Sequence, residues 1–214
     1  MRSRSGMRVS RRRRPPLGQL LAVGRQLVWL AVLPPPVAIF QLRALALAVR
    51  LREQWAIDVF TRPRELARLL RLARGRPLVA EAGTAAGWTA AALALANPGA
   101  RVVTLDPEVH HTRSRYLRLL SAEARERIVQ VRAQAEDGPP STGPHAGVQL
   151  MFLDGAHARE HTRAGFEAWR HTLAPGACVA FHDYGDPDFP GVAEAVRDLG
   201  LTGEAHGTLF VAHV

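Results

Sequence analysis

The most constraining feature of this chain is a glycine-containing loop between an apolar segment and an alanine-rich one, Glu81-Ala-Gly-Thr-Ala-Ala-Gly87. The apolar run Leu78–Ala80 predicts the end of a buried strand, and Thr89–Ala96 predicts a helix. Glycine is needed where the backbone turns sharply or where a ligand lies against it, because a Cβ atom would clash. A helix that begins after such a loop directs its free N–H groups into the crevice. We therefore expect a ligand at this loop.

A second apolar segment, Arg101–Leu105, is followed directly by the carboxylate of Asp106. An acidic residue at the end of the second strand can accept two hydrogen bonds from a ribose diol. The two segments together predict that the ligand is a nucleoside cofactor. The loop lacks the G-x-G-x-x-G spacing that is typical of nicotinamide-binding proteins.

Strand-like and helix-like segments alternate from residue 77 to the end of the chain. Further strands are predicted at Ile128–Val131, Val148–Leu153, Cys178–Phe181 and Thr208–Val214, and further helices at His110–Glu126, Arg159–Leu173 and Val192–Leu199. Strands without polar alternation are buried on both faces, which is typical of a parallel sheet covered by helices. The fold class is therefore α/β, with a doubly wound, mostly parallel sheet and ligands at the carboxyl ends of its strands.

The chain divides into three predicted regions: a basic disordered tail at 1–16, a helical extension at 17–60 and the α/β domain at 61–214. Val37–Leu51 has helical spacing of apolar residues, and Pro63 marks the start of another helix that Gly75 ends. For Leu17–Leu33 three interpretations stay open: helices that pack on the domain, a peripheral membrane contact aided by the arginines, and a targeting segment. The first is favoured, because polar residues interrupt the apolar run and no small-residue cleavage site follows it.

The basic character of the chain is confined to its beginning. The formal net charge is +9, but the first 14 residues hold seven arginines and no acidic residue, so the remainder carries +2. We therefore expect no nucleic-acid-binding face on the folded domain. The single cysteine, Cys178, excludes an internal disulfide framework and favours a reducing compartment, which predicts a cytoplasmic protein.

An ordered set of motifs then narrows the family. The loop Glu81–Gly87 resembles the first motif of class I S-adenosylmethionine-dependent methyltransferases, an acid followed by G-x-x-x-G. Further motifs follow in an order that resembles one subgroup, small-molecule O-methyltransferases of antibiotic and glycan pathways: Leu153-Asp-Gly-Ala-His157, Ala168-Trp169, Leu173-Ala-Pro-Gly176, Phe181-His-Asp-Tyr184 and Pro190-Gly-Val192. The resemblance covers Thr61–Val214. It implies a Rossmann-like methyltransferase fold, S-adenosyl-L-methionine as cofactor and a small-molecule acceptor.

The resemblance also implies roles for individual residues. The cofactor would be bound by Glu81, Gly83, Thr84, Gly87, Asp106 and Gln134. Asp106 would hold the ribose hydroxyls, and the segment Arg132–Ala135 would lie against the adenine. In that segment Gln134 and Ala135 replace a polar pair that relatives often carry, so the adenine contacts differ from the usual pattern.

The catalytic residues are expected among Asp154, His157, His182 and Asp183, which follow two strands. Relatives with a divalent metal carry acids at the positions of Asp154, His182 and Asp183. Because His182 replaces an oxygen ligand and Mg²⁺ prefers oxygen, a magnesium site on Asp154 and Asp183 is not favoured. We favour a histidine base, His157 or His182, that takes the proton of an acceptor hydroxyl.

Two other classes of function stay open from the sequence alone. One is a cofactor-binding protein without catalysis, suggested by Ala156 and by Gln134-Ala135. The other is a nucleotide-dependent oxidoreductase of similar architecture, which the loop spacing disfavours.

Overall fold

A seven-stranded sheet organises the protein, as seen in a computed structural model that describes residues 30–140 and 146–214. The strands are β1 (Leu78–Ala82), β2 (Arg101–Leu105), β3 (Ile128–Val131), β4 (Val148–Leu153), β5 (Leu173–Phe181), β6 (Gly203–His206) and β7 (Leu209–His213). Their spatial order is β3-β2-β1-β4-β5-β7-β6. The first five are parallel, and β7 and β6 add two antiparallel strands at one edge. The predicted doubly wound α/β sheet is confirmed.

Eight helices flank the sheet within the described residues. They are α1 (Pro35–Leu51), α2 (Gln54–Asp58), α3 (Pro63–Ala73), α4 (Trp88–Ala96), α5 (Arg113–Leu117), α6 (Ala122–Glu126), α7 (Arg159–Arg170) and α8 (Pro190–Asp198), with 3-10 turns at Leu30–Val32 and Ala135–Asp137. Pro63 occupies the first turn of α3, where its missing N–H costs nothing. The predicted helix at Val37–Leu51 is confirmed and begins two residues earlier.

Side-chain alternation along the strands divides the core into two layers. Leu150 and Phe152 of β4 pack with α1, α3 and α4 on one face of the sheet. Met151 and Leu153 of the same strand pack with α7 and α8 on the other face. The central strands are therefore buried from both sides, as the lack of polar alternation in their sequences predicts.

The segment predicted as one helix, His110–Glu126, forms two short ones. Its regular part begins only at Arg113, and it is interrupted by Ser121, which takes an extended conformation. The Ser121 hydroxyl accepts a hydrogen bond from the Ala124 N–H at 3.2 Å and so starts a new helix. The capping preference of serine outweighs the continuous helical composition.

The predicted end of α7 and the predicted start of β5 were wrong. Helix α7 ends at Arg170 rather than Leu173, and Pro175 lies within β5, at its exposed beginning. Strand β6 was not predicted, because its four residues are mostly exposed and show no apolar alternation. Its packing depends on Gly203, where a Cβ would overlap the Val211 carbonyl oxygen.

The N-terminal predictions are only partly covered by the structure. The predicted basic tail, and the apolar segment up to Trp29, lie outside the described residues, as do residues 141–145 of the predicted loop Gly138–Gly147. Among the residues that are described, no helix has the length and apolar character needed to cross a bilayer.

Candidate functional site

A large cleft lies at the carboxyl ends of the parallel strands. Its volume is ≈ 1770 Å³, and its walls come from the ends of β1, β2, β4 and β5 together with residues 55–71. The strand order reverses between the parallel neighbours β1 and β4, and such a switch point is where open α/β sheets bind ligands. Eight of the ten residues predicted for the site border this cleft: Gly83, Thr84, Asp106, Gln134, Asp154, His157, His182 and Asp183.

The glycines of the β1 loop are required by the protein's own packing. Gly83 has φ +106°, and a Cβ there would overlap the Asp154 carbonyl oxygen. Gly87 has φ +80°, and a Cβ there would press against Leu117. The sequence interpretation assigned both glycines to a ligand that lies against them. The structure shows that neighbouring backbone and side chains already exclude a larger residue at these positions.

Asp106 and Arg113 clamp the loop from one side. Ala85 has a left-handed conformation with φ +46°, and its N–H donates to Asp106 Oδ2 at 2.7 Å. The buried Arg113 donates from Nε to the Ala85 carbonyl at 2.7 Å, and from Nη2 to Asp106 Oδ2 at 3.0 Å and to the Glu108 carbonyl at 2.7 Å. Sequence reasoning missed Arg113, because nothing distinguishes it from the arginines beside it.

The Asp106 carboxylate is largely occupied by these contacts. Oδ2 accepts from Ala85 and Arg113, and Oδ1 accepts the Glu108 N–H at 2.8 Å. A carboxylate offers about four acceptor positions, so about one remains, on Oδ1. The sequence interpretation of Asp106 as the acceptor of two ribose hydrogen bonds is therefore reduced to one.

Glu81 lies beneath the loop and does not border the cleft. Its side chain is fully buried; Oε2 accepts from the Thr104 hydroxyl at 2.5 Å, and that hydroxyl lies 2.6 Å from the Thr84 hydroxyl. Oε1 has no hydrogen-bond partner in the described protein. Burial raises the pKa of Glu81 to about 8, although the bond from Thr104 opposes this shift. Glu81 is therefore mostly protonated at neutral pH and supports Thr84 from below.

Three carboxylates surround the imidazole of His182. Its Nδ1 lies 3.0 Å from Asp154 Oδ1 and 3.3 Å from Asp183 Oδ1, and its Nε2 lies 3.3 Å from Glu65 Oε2. Burial alone would lower the pKa of His182, but the acids outweigh it and raise the pKa to about 12. His182 is therefore a cation at neutral pH. Sequence reasoning missed Glu65, which lies in a helix far from the strand ends along the chain.

The second histidine, His157, contacts one carboxylate. Its Nε2 lies 3.0 Å from Asp183 Oδ2, and its ring stacks on Phe189 with 4.2 Å between centroids. Burial of Asp183 opposes its ionisation, but the contacts with His157 and His182 lower the pKa of this carboxyl well below its usual range. Asp183 therefore remains ionised and holds both rings, itself in a left-handed conformation with φ +57°.

Asp154, His182 and Asp183 bring three candidate metal-ligand atoms within 4.8 Å of one another. A metal needs a deprotonated imidazole, whereas the surrounding acids keep His182 protonated. Mg²⁺ in addition prefers oxygen ligands. A metal would therefore have to displace the proton of His182, and the imidazole makes the cluster a poor match for Mg²⁺.

At the far end of the cleft, the side chain of Gln134 caps the turn at Ala135–Asp137. The side chain accepts a backbone N–H of that turn, and the backbone N–H of Gln134 donates to Asp137 Oδ2 at 2.8 Å. Gln134 and the neighbouring Ala133 and Ala135 border the cleft, where the resemblance places the adenine. Since the Gln134 side chain is used within the turn, the backbone and the alanine methyl groups form this wall.

Comparison with known proteins identifies the domain. Residues 80–184 match a family model described as a methyltransferase domain. This span contains the loop, the end of β2 and the strand ends that carry Asp154 and Asp183. It confirms the family that the motifs predicted and gives no support to the oxidoreductase or the cofactor-binding protein without catalysis. No curated protein matches the chain.

Solved structures share the fold. A TDP-rhamnose 3′-O-methyltransferase of calicheamicin biosynthesis is 19% identical, with a TM-score of 0.59 over 94% of this chain and 95% of that one. The O-methyltransferase TomG from Streptomyces achromogenes, involved in tomaymycin synthesis and solved with SAM, is 21% identical, with a TM-score of 0.53 over 72% of this chain and 80% of that one.

Proposed function

We propose that this protein, a class I S-adenosylmethionine-dependent methyltransferase, methylates a hydroxyl group of a small molecule. The observation that carries the proposal is the pairing of His157 with Asp183 beside the glycine loop, at 3.0 Å. The two similar structures are both O-methyltransferases by name, and the names of both connect them with natural-product synthesis.

The residues of the cleft fit the cofactor. Asp106 Oδ1 keeps an acceptor position for a ribose hydroxyl, and the wall at Ala133–Ala135 has room for a flat base. Gly83 and Thr84 border the cleft between them and would lie along the methionine portion. Glu81 and Gly87 contribute by fixing the loop from below and behind. When bound, the cofactor supplies a methyl group already activated by its sulfonium charge.

His157 is the proposed general base. Asp183 engages its Nε2, which leaves Nδ1 to accept a proton from the acceptor hydroxyl. The acceptor oxygen then forms its bond to the methyl carbon as the carbon–sulfur bond breaks, and the proton remains on His157. Positioning of the two reacting atoms can supply about 7–11 kcal/mol of the barrier.

His182 serves a different role in this proposal. As a cation at neutral pH it cannot accept a proton, which removes it from the two candidates for base. Its charge instead balances Asp154, Asp183 and Glu65, so that Asp183 is held in place for His157.

The test is transfer of a labelled methyl group from S-adenosylmethionine to a library of small hydroxyl compounds. We expect His157→Gln to lower kcat by about 10²–10⁴-fold, the usual contribution of a general base, with cofactor affinity unchanged. His171→Gln is the matched control, because His171 is exposed and does not border the cleft. Wild-type turnover by the His157 variant would overturn the assignment of the base. Failure of the wild-type protein to bind S-adenosylhomocysteine would overturn the proposed function.

Chelation separates the histidine base from a metal mechanism. With His157 as base, activity persists in chelator. Loss of turnover in chelator that Mg²⁺ restores would instead assign Asp154 and Asp183 to a metal.

A further inference from the structure

The cleft extends beyond the transfer centre along helix α3. Glu65, in the first turn of this helix, contacts His182 and accepts hydrogen bonds from the N–H and hydroxyl of Thr208 at 2.7 and 2.9 Å. From there the cleft follows the arginine-rich side of α3, with His206 and Gly207 of the β6–β7 turn also in its wall. This part of the cleft lies apart from the residues proposed to bind the cofactor.

Two arginines in this extension carry charge that the protein does not balance. Arg68 and Arg71 both border the cleft, and neither forms a salt bridge to any acidic side chain in the described part of the chain. The Nε of Arg68 is buried and has no hydrogen-bond acceptor. A buried N–H without an acceptor costs free energy, so this group is set up for an oxygen-bearing partner. Arg62, by contrast, lies 3.7 Å from Asp186 and 3.9 Å from Glu65.

The spacing along α3 sets the positions of the two arginines relative to Glu65. Helices rise about 1.5 Å per residue, so Arg68 and Arg71 lie about 4.5 and 9 Å along the axis from Glu65. Glu65 itself touches the charge cluster beside the reacting atoms. The two arginines therefore lie within two helical turns of the residue that contacts this cluster. Guanidinium groups bind phosphate oxygens in a bidentate manner, which favours phosphate over a single-point anion.

We propose that Arg68 and Arg71 bind the diphosphate of the acceptor, and that the acceptor is a sugar linked to a nucleoside diphosphate. This inference rests on the proposed methyl transfer and names its substrate class. The sugar hydroxyl lies at His157, and the diphosphate follows α3 away from the transfer centre. Specificity for the activated sugar over the free sugar then resides in α3, outside the matched methyltransferase domain.

The test is calorimetric titration of the full chain with inorganic pyrophosphate, with and without S-adenosylhomocysteine. We expect saturable binding by the wild type and at least 10-fold weaker binding by the double variant Arg68→Gln/Arg71→Gln. The control Arg115→Gln/Arg118→Gln removes the same charge from exposed positions outside the cleft and leaves binding unchanged. S-adenosylhomocysteine binding by each variant shows that it is folded.

The outcomes separate this inference from the proposed function. If both double variants bind pyrophosphate like the wild type, or if the wild type binds none, the diphosphate site is refuted. If citrate binds at Arg68 and Arg71 as tightly as pyrophosphate, the site is a general anion site and the substrate class is wrong. In each of these cases intact S-adenosylhomocysteine binding leaves the methyltransferase assignment standing.

Discussion

Replacement of Arg113 tests whether the clamp on the glycine loop shapes the cofactor site. Arg113→Gln removes the charged contact with Asp106 and the donors to the carbonyls of Ala85 and Glu108. Hydrogen bonds to charged groups contribute about 1.5–3 kcal/mol each, and breaking a buried ion pair on one side costs about 3–5 kcal/mol. Since water can enter beside the partly exposed Asp106, we expect a loss at the lower end of this range, about 3 kcal/mol, in the free energy of unfolding.

The same variant should also lose cofactor affinity, because the clamp bonds both the N–H and the carbonyl of Ala85, which has a left-handed conformation. Such a conformation costs about 1–3 kcal/mol. Once it relaxes, S-adenosylhomocysteine must restore the loop on binding, which predicts a Kd about 5- to 150-fold higher, since 1.4 kcal/mol is a factor of ten.

Urea denaturation and calorimetry measure the two effects. Arg113→Lys keeps the charge beside Asp106 but loses the planar fork, so it should fall between the wild type and Arg113→Gln in both measurements. The reasoning is refuted if Arg113→Gln unfolds and binds S-adenosylhomocysteine like the wild type. A loss of stability with unchanged affinity would show that the clamp supports the fold alone.

Three further predictions follow from the loop and the charge cluster. Gly83→Ala should lower the free energy of unfolding by well over the ~1–2 kcal/mol cost of a left-handed alanine, because its Cβ would overlap the Asp154 carbonyl. Gly75→Ala, with open space at φ +73°, should lower it only by that amount. Equal losses in urea denaturation would refute the packing argument. Because the pKa of Glu81 is raised to about 8 in the folded protein, its contribution to stability is complete below pH 4.5 and is lost as the pH rises through 8. Glu81→Gln should therefore flatten the dependence of the unfolding free energy on pH across this range. An unchanged pH profile would contradict the shift. His182→Asp replaces the imidazole with a carboxylate and should create a Mg²⁺ site, so the melting temperature of this variant should rise with Mg²⁺ while that of the wild type does not. A rise in both would show that the native cluster binds the metal.

The sheet could be predicted from the sequence because most of its strands have a recognisable apolar pattern. Segments such as Val148–Leu153 show no polar alternation, since Gln149 is the one polar residue among six, and burial on both faces accommodates them. Strand β6 offers no such signal, since it is held by pairing to Leu209–His213 and by the absence of a side chain at Gly203. The division of the helix at Ser121 depends on one cap against a uniform helical composition, and local sequence cannot decide that competition.

The cleft could be predicted for a different reason. Parallel strands bring their carboxyl ends to one edge, so any polar residue directly after a strand was a candidate, and Asp154 and His182 were found in this way. Glu65 and Arg113 enter the same site from helices, 89 residues before Asp154 and seven after Asp106 along the chain. Nothing in their local sequence marks them, because their roles exist only once tertiary packing has formed.

The charge state of the cluster explains why the sequence could not distinguish the roles of its two histidines. His157 and His182 are equivalent in the sequence, each beside an acid at a strand end. Packing gives His182 three carboxylates and little solvent, and gives His157 one carboxylate and an aromatic face. The third carboxylate, Glu65, comes from a helix outside the matched domain. Asp154 contributes most to the raised pKa of His182, and Asp183 and Glu65 add to it. The proposed choice of His157 as base therefore depends on how packing distributes the carboxylates around the two rings, which the motifs do not encode.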